Sequence, residues 1–155
     1  MKYIIPVKDD QIEITVKDMI ITKITFTDQK PPAEGYNFHS GGLRELYLLA
    51  ERQFNEYFRG ERKEFKLPVI QTGTPFEERV WENVKKVDYG KTISYSQLAE
   101  LADLKGAERS VGQAVGKNQL LLVVPCHRII RKSGEPGEYS AGRERKLNLI
   151  NLERR

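Results

Sequence analysis

The sequence predicts an α+β fold: a small N-terminal antiparallel sheet with one helix, then a mainly helical C-terminal domain that is winged-helix-like. Two observations predict it. Alternation of β-branched and aromatic residues with polar ones, typical of strands, is confined to residues 2–27. From residue 43 onward, apolar side chains recur at helical spacing instead. A chain of 155 residues is long enough for two small domains.

The first domain is predicted over residues 1–68. Its strands cover Tyr3–Ile5, Ile12–Val16 and Ile20–Phe26, with acidic and basic breaks between them, and they form an antiparallel meander. A loop with paired prolines and glycines follows, and then one amphipathic helix over residues 43–59. Residues 61–72 are expected to form a linker.

The second domain is predicted over residues 72–155. A capping box at Thr74–Glu77, with proline at the first helical position, starts its first helix. A second capping box at Ser94–Gln97 starts another short helix, and a turn containing Gly106 leads to a third over residues 107–118. The last two helices suggest a helix-turn-helix, although any pair of core helices gives the same pattern.

The third of these helices carries two interior glycines, Gly112 and Gly116. Each costs about 1 kcal/mol of helix stability relative to alanine. Such a helix usually approaches another backbone closely, which would be either a neighbouring strand or a nucleic acid. Arg109 and Lys117 would supply charge for the second alternative. A terminal helix follows over residues 143–153, with Leu147, Ile150 and either Leu149 or Leu152 expected to face inward.

The only cysteine, Cys126, lies where an apolar run is interrupted. Residues 121–124 are apolar and suit a core strand, and Pro125 then discourages continuation of that strand. A free cysteine is usually a buried, inert residue. His127 and Arg128 place ionisable groups beside the sulfur, however, and such surroundings favour the thiolate. From this local pattern, an inert thiol and a reactive thiol are equally plausible.

Charge is distributed unevenly along the chain. Acidic and basic side chains balance over residues 1–71, so the net charge of +4 arises entirely from residues 72–155. A basic domain favours polyanions, nucleic acid first, although a solvated basic face would look the same. A single unpaired cysteine is typical of a reducing compartment, and no apolar run is long enough to span a membrane. We therefore expect a soluble cytoplasmic protein.

Several motifs in residues 72–155 occur together in one order. They are Thr74-Pro75-Phe76, Tyr89-Gly90-x-Thr92-x-Ser94-Tyr95, Arg109-x-Val111-Gly112-x-Ala114, Pro125-Cys126-His127-Arg128-Ile129-Ile130, Gly134-x-x-Gly137-x-Tyr139-Ser140-x-Gly142, and a helix with Lys146, Leu149 and Glu153. In these motifs the chain resembles the O6-alkylguanine-DNA alkyltransferases, also called methylated-DNA–protein-cysteine methyltransferases. The strands and helix of residues 1–68 suit the variable N-terminal domain of that family.

The resemblance implies a direct-reversal DNA repair activity with defined catalytic residues. Cys126 would take the alkyl group from O6 of guanine, since a thiolate is the competent nucleophile. His127 would act as its base through a water molecule, and Glu153 would orient that histidine. Tyr95 would donate a proton to the departing guanine.

The resemblance also implies residues that bind the substrate and DNA. Arg109 would fill the space of a guanine flipped out of the duplex, with the small-sided helix in the minor groove. Tyr139 and Ser140 would wall the base pocket, and Asn118 would brace the cysteine turn. The remaining predicted substrate or DNA contacts are Ala107, Gly112, Val115, Lys117 and Arg128.

By the same resemblance the protein is used once, because the thioether product is not reversed by thiol exchange. We expect no cofactor and no metal site, double-stranded DNA containing O6-alkylguanine as partner, and a monomer. Repair of O4-alkylthymine and the range of alkyl groups stay open. Ala141 and Gln119 stand where the family often has glycine and proline, which bears on substrate range.

Three alternatives compete with this interpretation. A non-catalytic binder of alkylated DNA lesions would not need Cys126, since the alkyltransferase-like relatives lack the cysteine. A cysteine hydrolase would need a separate histidine, and His39 lies in a loop of the other domain. A plain winged-helix regulator would leave the Cys126–His127 pair and the loop carrying Tyr139 unexplained.

Overall fold

The computed structural model describes all residues, 1–155, and the chain divides into two compact units, Met1–Gln71 and Thr72–Arg155. The elements of the first unit are β1 (Lys2–Val7), β2 (Asp10–Lys17), β3 (Ile20–Thr27) and α1 (Gly41–Phe58). Those of the second unit are α2 (Pro75–Val84), β4 (Ile93–Ser94), α3 (Tyr95–Leu101), α4 (Glu108–Gly116), β5 (Ile129–Ile130) and α5 (Arg143–Glu153). The predicted α+β fold class is confirmed. None of the helices combines the length and apolar character needed to cross a membrane.

The first unit is an antiparallel meander with one helix packed on it. The strands pair in the order β1-β2-β3, with Ile5 opposite Ile12 and Ile14 opposite Ile24. Alternate residues of β1 and β2 are buried, as expected for a sheet with one covered face, and in β3 a register shift between Ile21 and Lys23 interrupts the alternation. Helix α1 packs against β1, and its N-terminus is capped by the Ser40 side chain.

The segment predicted as a linker is more ordered than expected. Val69 forms a parallel bridge with Ile21 of β3, so this segment extends the first unit through Gln71. The side chain of Gln53 donates to the Lys66 carbonyl and accepts from its amide, at 3.0 and 2.8 Å. Spacing and composition did not indicate these contacts because each is made by an isolated residue, with no periodic pattern.

The second unit is built around packed helices. Both predicted capping boxes are present, at Thr74 and Ser94, so α2 and α3 start where the sequence predicts. Helix α4 packs against α2 and α3, and the Trp81 indole donates a 2.8 Å hydrogen bond to the Ala114 carbonyl. Gly106, with φ of +93°, lies in the connection between α3 and α4.

The apolar run before the cysteine is not a strand. Residues 121–124 form turns, and Leu122 is held at φ of +74° in a buried position. Cys126–Arg128 is a single 3₁₀ turn, after which β5 pairs in parallel with β4. The apolar composition of the run suggested a strand, but it reflects burial in turns. In α5, the inward position of Leu147 was also wrong, because that side chain is 38% exposed while Leu149, Ile150 and Leu152 are buried.

Candidate active site

Cys126 lies at a turn that the Asn118 side chain holds in place. Pro125 has φ of −80° and ψ of +63°, and the Cys126 amide donates to the Val124 carbonyl at 2.8 Å, which is an inverse γ-turn. The Asn118 amide donates to the same carbonyl at 2.8 Å, while its oxygen accepts from the Leu120 amide at 3.0 Å. Both ends of the Asn118 amide therefore contact the backbone of the segment that leads into Cys126.

The positive charge that acts on the thiol comes from a different residue than expected. Burial raises the pKa of Cys126, and a hydrogen bond from Asn118 and the positive charge of Lys146 act in the opposite direction. The neighbours that suggested a reactive thiol, His127 and Arg128, point into the protein interior toward Glu153. The inference from adjacent basic residues was wrong in its mechanism, because side chains of a tight turn diverge.

His127 is fully buried and faces Glu153. Its Nε2 lies 2.7 Å from Glu153 Oε2, and since a carboxylate accepts, Nε2 carries the proton and donates. Its Nδ1 is buried and has no hydrogen-bond partner within the protein. Burial lowers the pKa of His127 despite the opposing carboxylate, so the ring is a neutral imidazole with Nδ1 as an unused acceptor.

Arg128 belongs to the same buried cluster, which corrects its prediction as a substrate or DNA contact. Its Nε donates to Glu153 Oε1 at 2.8 Å, and its Nη2 donates to Oε2 at 3.1 Å. Its Nη1 donates to the Val87 carbonyl at 2.7 Å. The backbone amide of Gly90 also donates to Glu153 Oε1, at 3.3 Å. These contacts fix the Glu153 carboxylate beside His127, and they hold the Arg128 guanidinium in the interior, away from the residues that line the cleft.

A cleft of about 930 Å³ opens over Cys126. Its walls come from α3, α4 and the loop between β5 and α5. The predicted residues that line it are Tyr95, Arg109, Gly112, Val115, Cys126, Tyr139 and Ser140. Ala107 and Lys117 are not among its lining residues: Ala107 is the N-cap of α4, and Lys117 pairs with Glu77 at 3.5 Å. The cleft has the size of a small-ligand site.

Two tyrosines stand beside the thiol in this cleft. Burial raises the pKa of both Tyr95 and Tyr139, so both are neutral hydrogen-bond donors at neutral pH. The Tyr139 hydroxyl is buried and makes no hydrogen bond within the protein. Buried hydroxyls are normally paired, and an unpaired one in a cleft is suited to a ligand atom.

The glycines of α4 face open space or a ring edge. A side-chain carbon on Gly116 would have no neighbour within 4 Å, and one on Gly112 would have only the Tyr95 ring, at 3.7 Å. No strand of the protein therefore packs closely on this side of the helix. The sequence left two explanations for the glycines of this helix, close approach to a neighbouring strand or to a nucleic acid, and the first is excluded.

Lys146 is the site residue whose position the sequence did not predict. It is fully buried, its Nζ donates to the Glu138 carbonyl at 3.1 Å, and Nζ lies 5.8 Å from the centre of the Tyr95 ring. Burial lowers its pKa to about 8, so it is still mostly an ammonium at neutral pH. Its spacing with Leu149 and Glu153, which share the buried face of α5, was the signal that could have identified it.

No group of three or more His, Cys, Asp or Glu side chains is arranged to hold a metal ion. The chemistry that the site offers is that of a thiol, a neutral imidazole held by a carboxylate, an ammonium and two phenols.

Comparison with known proteins agrees with this geometry. Residues 75–155 match the family model of the DNA-binding domain of 6-O-methylguanine DNA methyltransferase. The chain belongs to the methylated-DNA–protein-cysteine methyltransferase family. The resemblance stated from the motifs is confirmed, and the DNA-repair methyltransferase class predicted with it agrees with this membership.

Relatives in the family match over most of the chain. The enzyme of Mycobacterium leprae is 37% identical over 87% of this chain and 81% of its own length. The constitutive enzyme of Bacillus subtilis is 43% identical over 68% of this chain and 64% of its own length.

Solved structures of the family share the fold. The Mycobacterium tuberculosis O6-methylguanine methyltransferase is 31% identical, with a TM-score of 0.81 over 99% of this chain and 92% of that one. The OGT of the same organism in complex with DNA is 32% identical, with a TM-score of 0.79 over 93% and 86% of the two chains.

Proposed function

We propose that this protein repairs double-stranded DNA by moving an alkyl group from O6 of guanine onto Cys126. The observation that carries the proposal is the placement of a single thiol in a cleft, next in the chain to a buried histidine, His127, which is hydrogen-bonded to Glu153 of α5. The sulfur forms a bond to the alkyl carbon, and the bond between that carbon and O6 breaks. The guanine leaves as an anion and takes up a proton.

The thiol proton has a route away from sulfur. His127 Nδ1 is an unpaired buried acceptor on a neutral ring, which suits a base that works through one water molecule. Glu153 accepts a hydrogen bond from Nε2–H and stabilises the imidazolium that forms. Arg128 keeps the carboxylate in place throughout.

Other residues stabilise the thiolate and protonate the leaving group. The ammonium of Lys146 offsets part of the cost of a buried thiolate. Tyr95, a neutral phenol lining the cleft, donates a proton to the departing guanine, and Tyr139 hydrogen-bonds the base. Tyr95 regains its proton from solvent and His127 releases the sulfur proton to solvent, so the two protons balance and no co-reactant is consumed.

Helix α4 is the element that contacts DNA in this proposal. Guanine O6 is inaccessible to in-line attack inside a stacked duplex, so the nucleotide is flipped into the cleft at a cost of a few kcal/mol. The open glycine side of α4 lets the helix approach the minor groove, and Arg109 inserts where the base was. Contacts to phosphates make binding tolerant of sequence and sensitive to salt.

Each molecule acts once. The product is a thioether, and Cys126 is the only cysteine of the chain, so no second thiol acts on the product. The protein is therefore consumed in proportion to the lesions that it repairs.

The test uses duplex DNA carrying O6-methylguanine with a labelled methyl group. We expect label to move to the wild-type protein, and none to move to Cys126→Ala, while that variant binds the duplex as tightly as wild type. Label on the Cys126→Ala protein, or release of label into solution over many cycles, would contradict the proposal.

A further inference from the structure

Arg131 leaves the two-stranded sheet beside Tyr95. Strands β4 and β5 are parallel, and Ser94 lies opposite Ile130. Tyr95 and Arg131 are the next residues after these two strands, so they leave the sheet side by side at the same end. The sequence does not indicate this, because 35 residues separate the two positions and the strands have two residues each.

The side chain of Arg131 extends along the wall of the Cys126 cleft. A side-chain carbon on Gly137 would lie 3.4 Å from both the Cγ of Arg131 and the hydroxyl oxygen of Tyr95, so these two atoms flank one point. Arg131 is also a lining residue of the cleft. Burial is the main effect on the Tyr95 hydroxyl and raises its pKa, while the Arg131 charge acts in the opposite direction.

The backbone of Arg131 is held by hydrogen bonds, whereas its guanidinium has no hydrogen-bond or ion-pair partner within the protein. Its amide donates to the Glu135 carbonyl at 2.9 Å, and its carbonyl accepts from the Gly134 amide at 2.9 Å. Its guanidinium makes no hydrogen bond or ion pair, although Glu135 and Glu138 line the adjoining depression. Arginines near carboxylates usually pair with them. Arg131 has a fixed backbone and an unpaired guanidinium, so the guanidinium is available for an external anion.

The shape of the flipped substrate identifies that anion. A guanine seated over Cys126 stays attached to the duplex by its sugar and two phosphodiesters, which must cross the mouth of the cleft. Arg109 lies on the α4 wall of the cleft, and Arg131 lies on the wall that follows β5. A planar guanidinium binds two oxygens of one phosphate at once, which a lysine cannot do.

We propose that Arg131 binds a phosphodiester of the extrahelical nucleotide and so positions the alkylated guanine over Cys126. This inference rests on the function proposed above. It makes Arg131 a positioning residue for the polymer substrate, with no role toward the free base, because a free base carries no phosphate. A residue that acted only by adjusting the acidity of Tyr95 would affect both substrates equally.

The experiment compares single-turnover methylation of Cys126 by two substrates, an O6-methylguanine duplex and free O6-methylguanine base, over a range of salt concentrations. The variants are Arg131→Gln, Arg131→Lys and, as a control of equal charge change, Lys91→Gln. Lys91 is exposed and does not line the cleft. Thermal midpoints check folding, and they should match because the Arg131 guanidinium has no partner in the protein.

We expect Arg131→Gln to slow the duplex reaction about tenfold, the loss of one charge-assisted hydrogen-bonded contact, with less than a twofold effect on the free base. For this variant, the slope of log rate against log salt concentration in the duplex reaction should decrease in magnitude by about one, the value expected for one lost phosphate contact. Arg131→Lys should recover part of the rate, and Lys91→Gln should follow the wild type.

Three results would overturn the inference: equal losses on both substrates, an equal loss in Lys91→Gln, or no loss in Arg131→Gln. In each of these the wild type still reacts, so the proposed function survives. A wild type that reacts with neither substrate would overturn both proposals.

Discussion

The two sides of Cys126 differ in how far their polar groups are already satisfied. On the buried side, Glu153 holds both His127 and Arg128 through hydrogen bonds of 2.7 to 3.1 Å. On the cleft side, the Tyr139 hydroxyl has no partner and Arg131 makes no ion pair. The buried side is preorganised before any substrate arrives, and the cleft side acquires its partners from the substrate.

This difference separates two kinds of residue that the sequence places next to each other. His127 and Arg128 follow Cys126 directly, yet both face the buried side. Substitutions there are expected to affect chemistry and stability. Substitutions on the cleft side are expected to affect DNA binding, with little cost or even a gain in stability.

The largest effect is expected for His127→Gln. Removing a general base lowers the rate by about 10²–10⁴-fold, and single-turnover methylation of Cys126 measures it. Because burial lowers the pKa of His127 below its ordinary value of 6.5, the folded protein binds fewer protons there than the unfolded chain. Wild-type stability should thus fall as pH drops through 6.5, and His127→Gln should flatten this fall. A wild-type rate retained in the variant would contradict the assignment.

Arg128→Ala is expected to be the most destabilising change. It leaves the buried carboxylate of Glu153 without its main ion pair, and breaking a buried pair costs about 3–5 kcal/mol. Urea unfolding at neutral pH measures this loss. The matched control is Arg109→Ala on the cleft side, which should change the free energy of unfolding by no more than about 0.5 kcal/mol. Equal losses for the two variants would remove the distinction between the two sides.

Lys146→Met tests which cation favours the thiolate. The Lys146 charge lowers the pKa of Cys126, so its loss should move the pH midpoint of alkylation by iodoacetamide upward. Since the pKa of Lys146 is about 8, the ratio of wild-type to variant rates should shrink as pH rises through 8, where the wild type loses the charge as well. A ratio independent of pH would show that the ammonium is not the cause.

Gly112→Ala should have the smallest effect on stability, in the favourable direction. It removes a helix-interior glycine, which is worth about 1 kcal/mol, and the added carbon meets the Tyr95 ring at an ordinary 3.7 Å. DNA affinity should fall, because the carbon narrows the side of α4 that approaches the groove. Gly106→Ala is the control: its φ of +93° predicts destabilisation. A Gly112→Ala protein that binds DNA more tightly would argue against α4 as the groove-facing helix.

The sequence predicted the helices and the motif residues better than it predicted where the side chains of those residues point. Capping boxes at Thr74 and Ser94 fixed two helix starts, because capping depends on residues three positions apart. The apolar run before Cys126 was mistaken for a strand, since burial in a turn and burial in a strand demand the same residue types. The direction of Arg128 and the role of Lys146 depend on α5 packing against the 3₁₀ turn, a long-range contact that no local pattern encodes.

In the proposed reaction the alkyl group ends on Cys126 and stays there. Intact-protein and peptide mass spectrometry, after incubation with an excess of O6-methylguanine duplex, tests it most directly. We expect a mass gain of one methyl group, located on the peptide containing Cys126, with one equivalent of DNA repaired per protein. An unmodified protein beside repaired DNA, or a methyl group on any other residue, would contradict it.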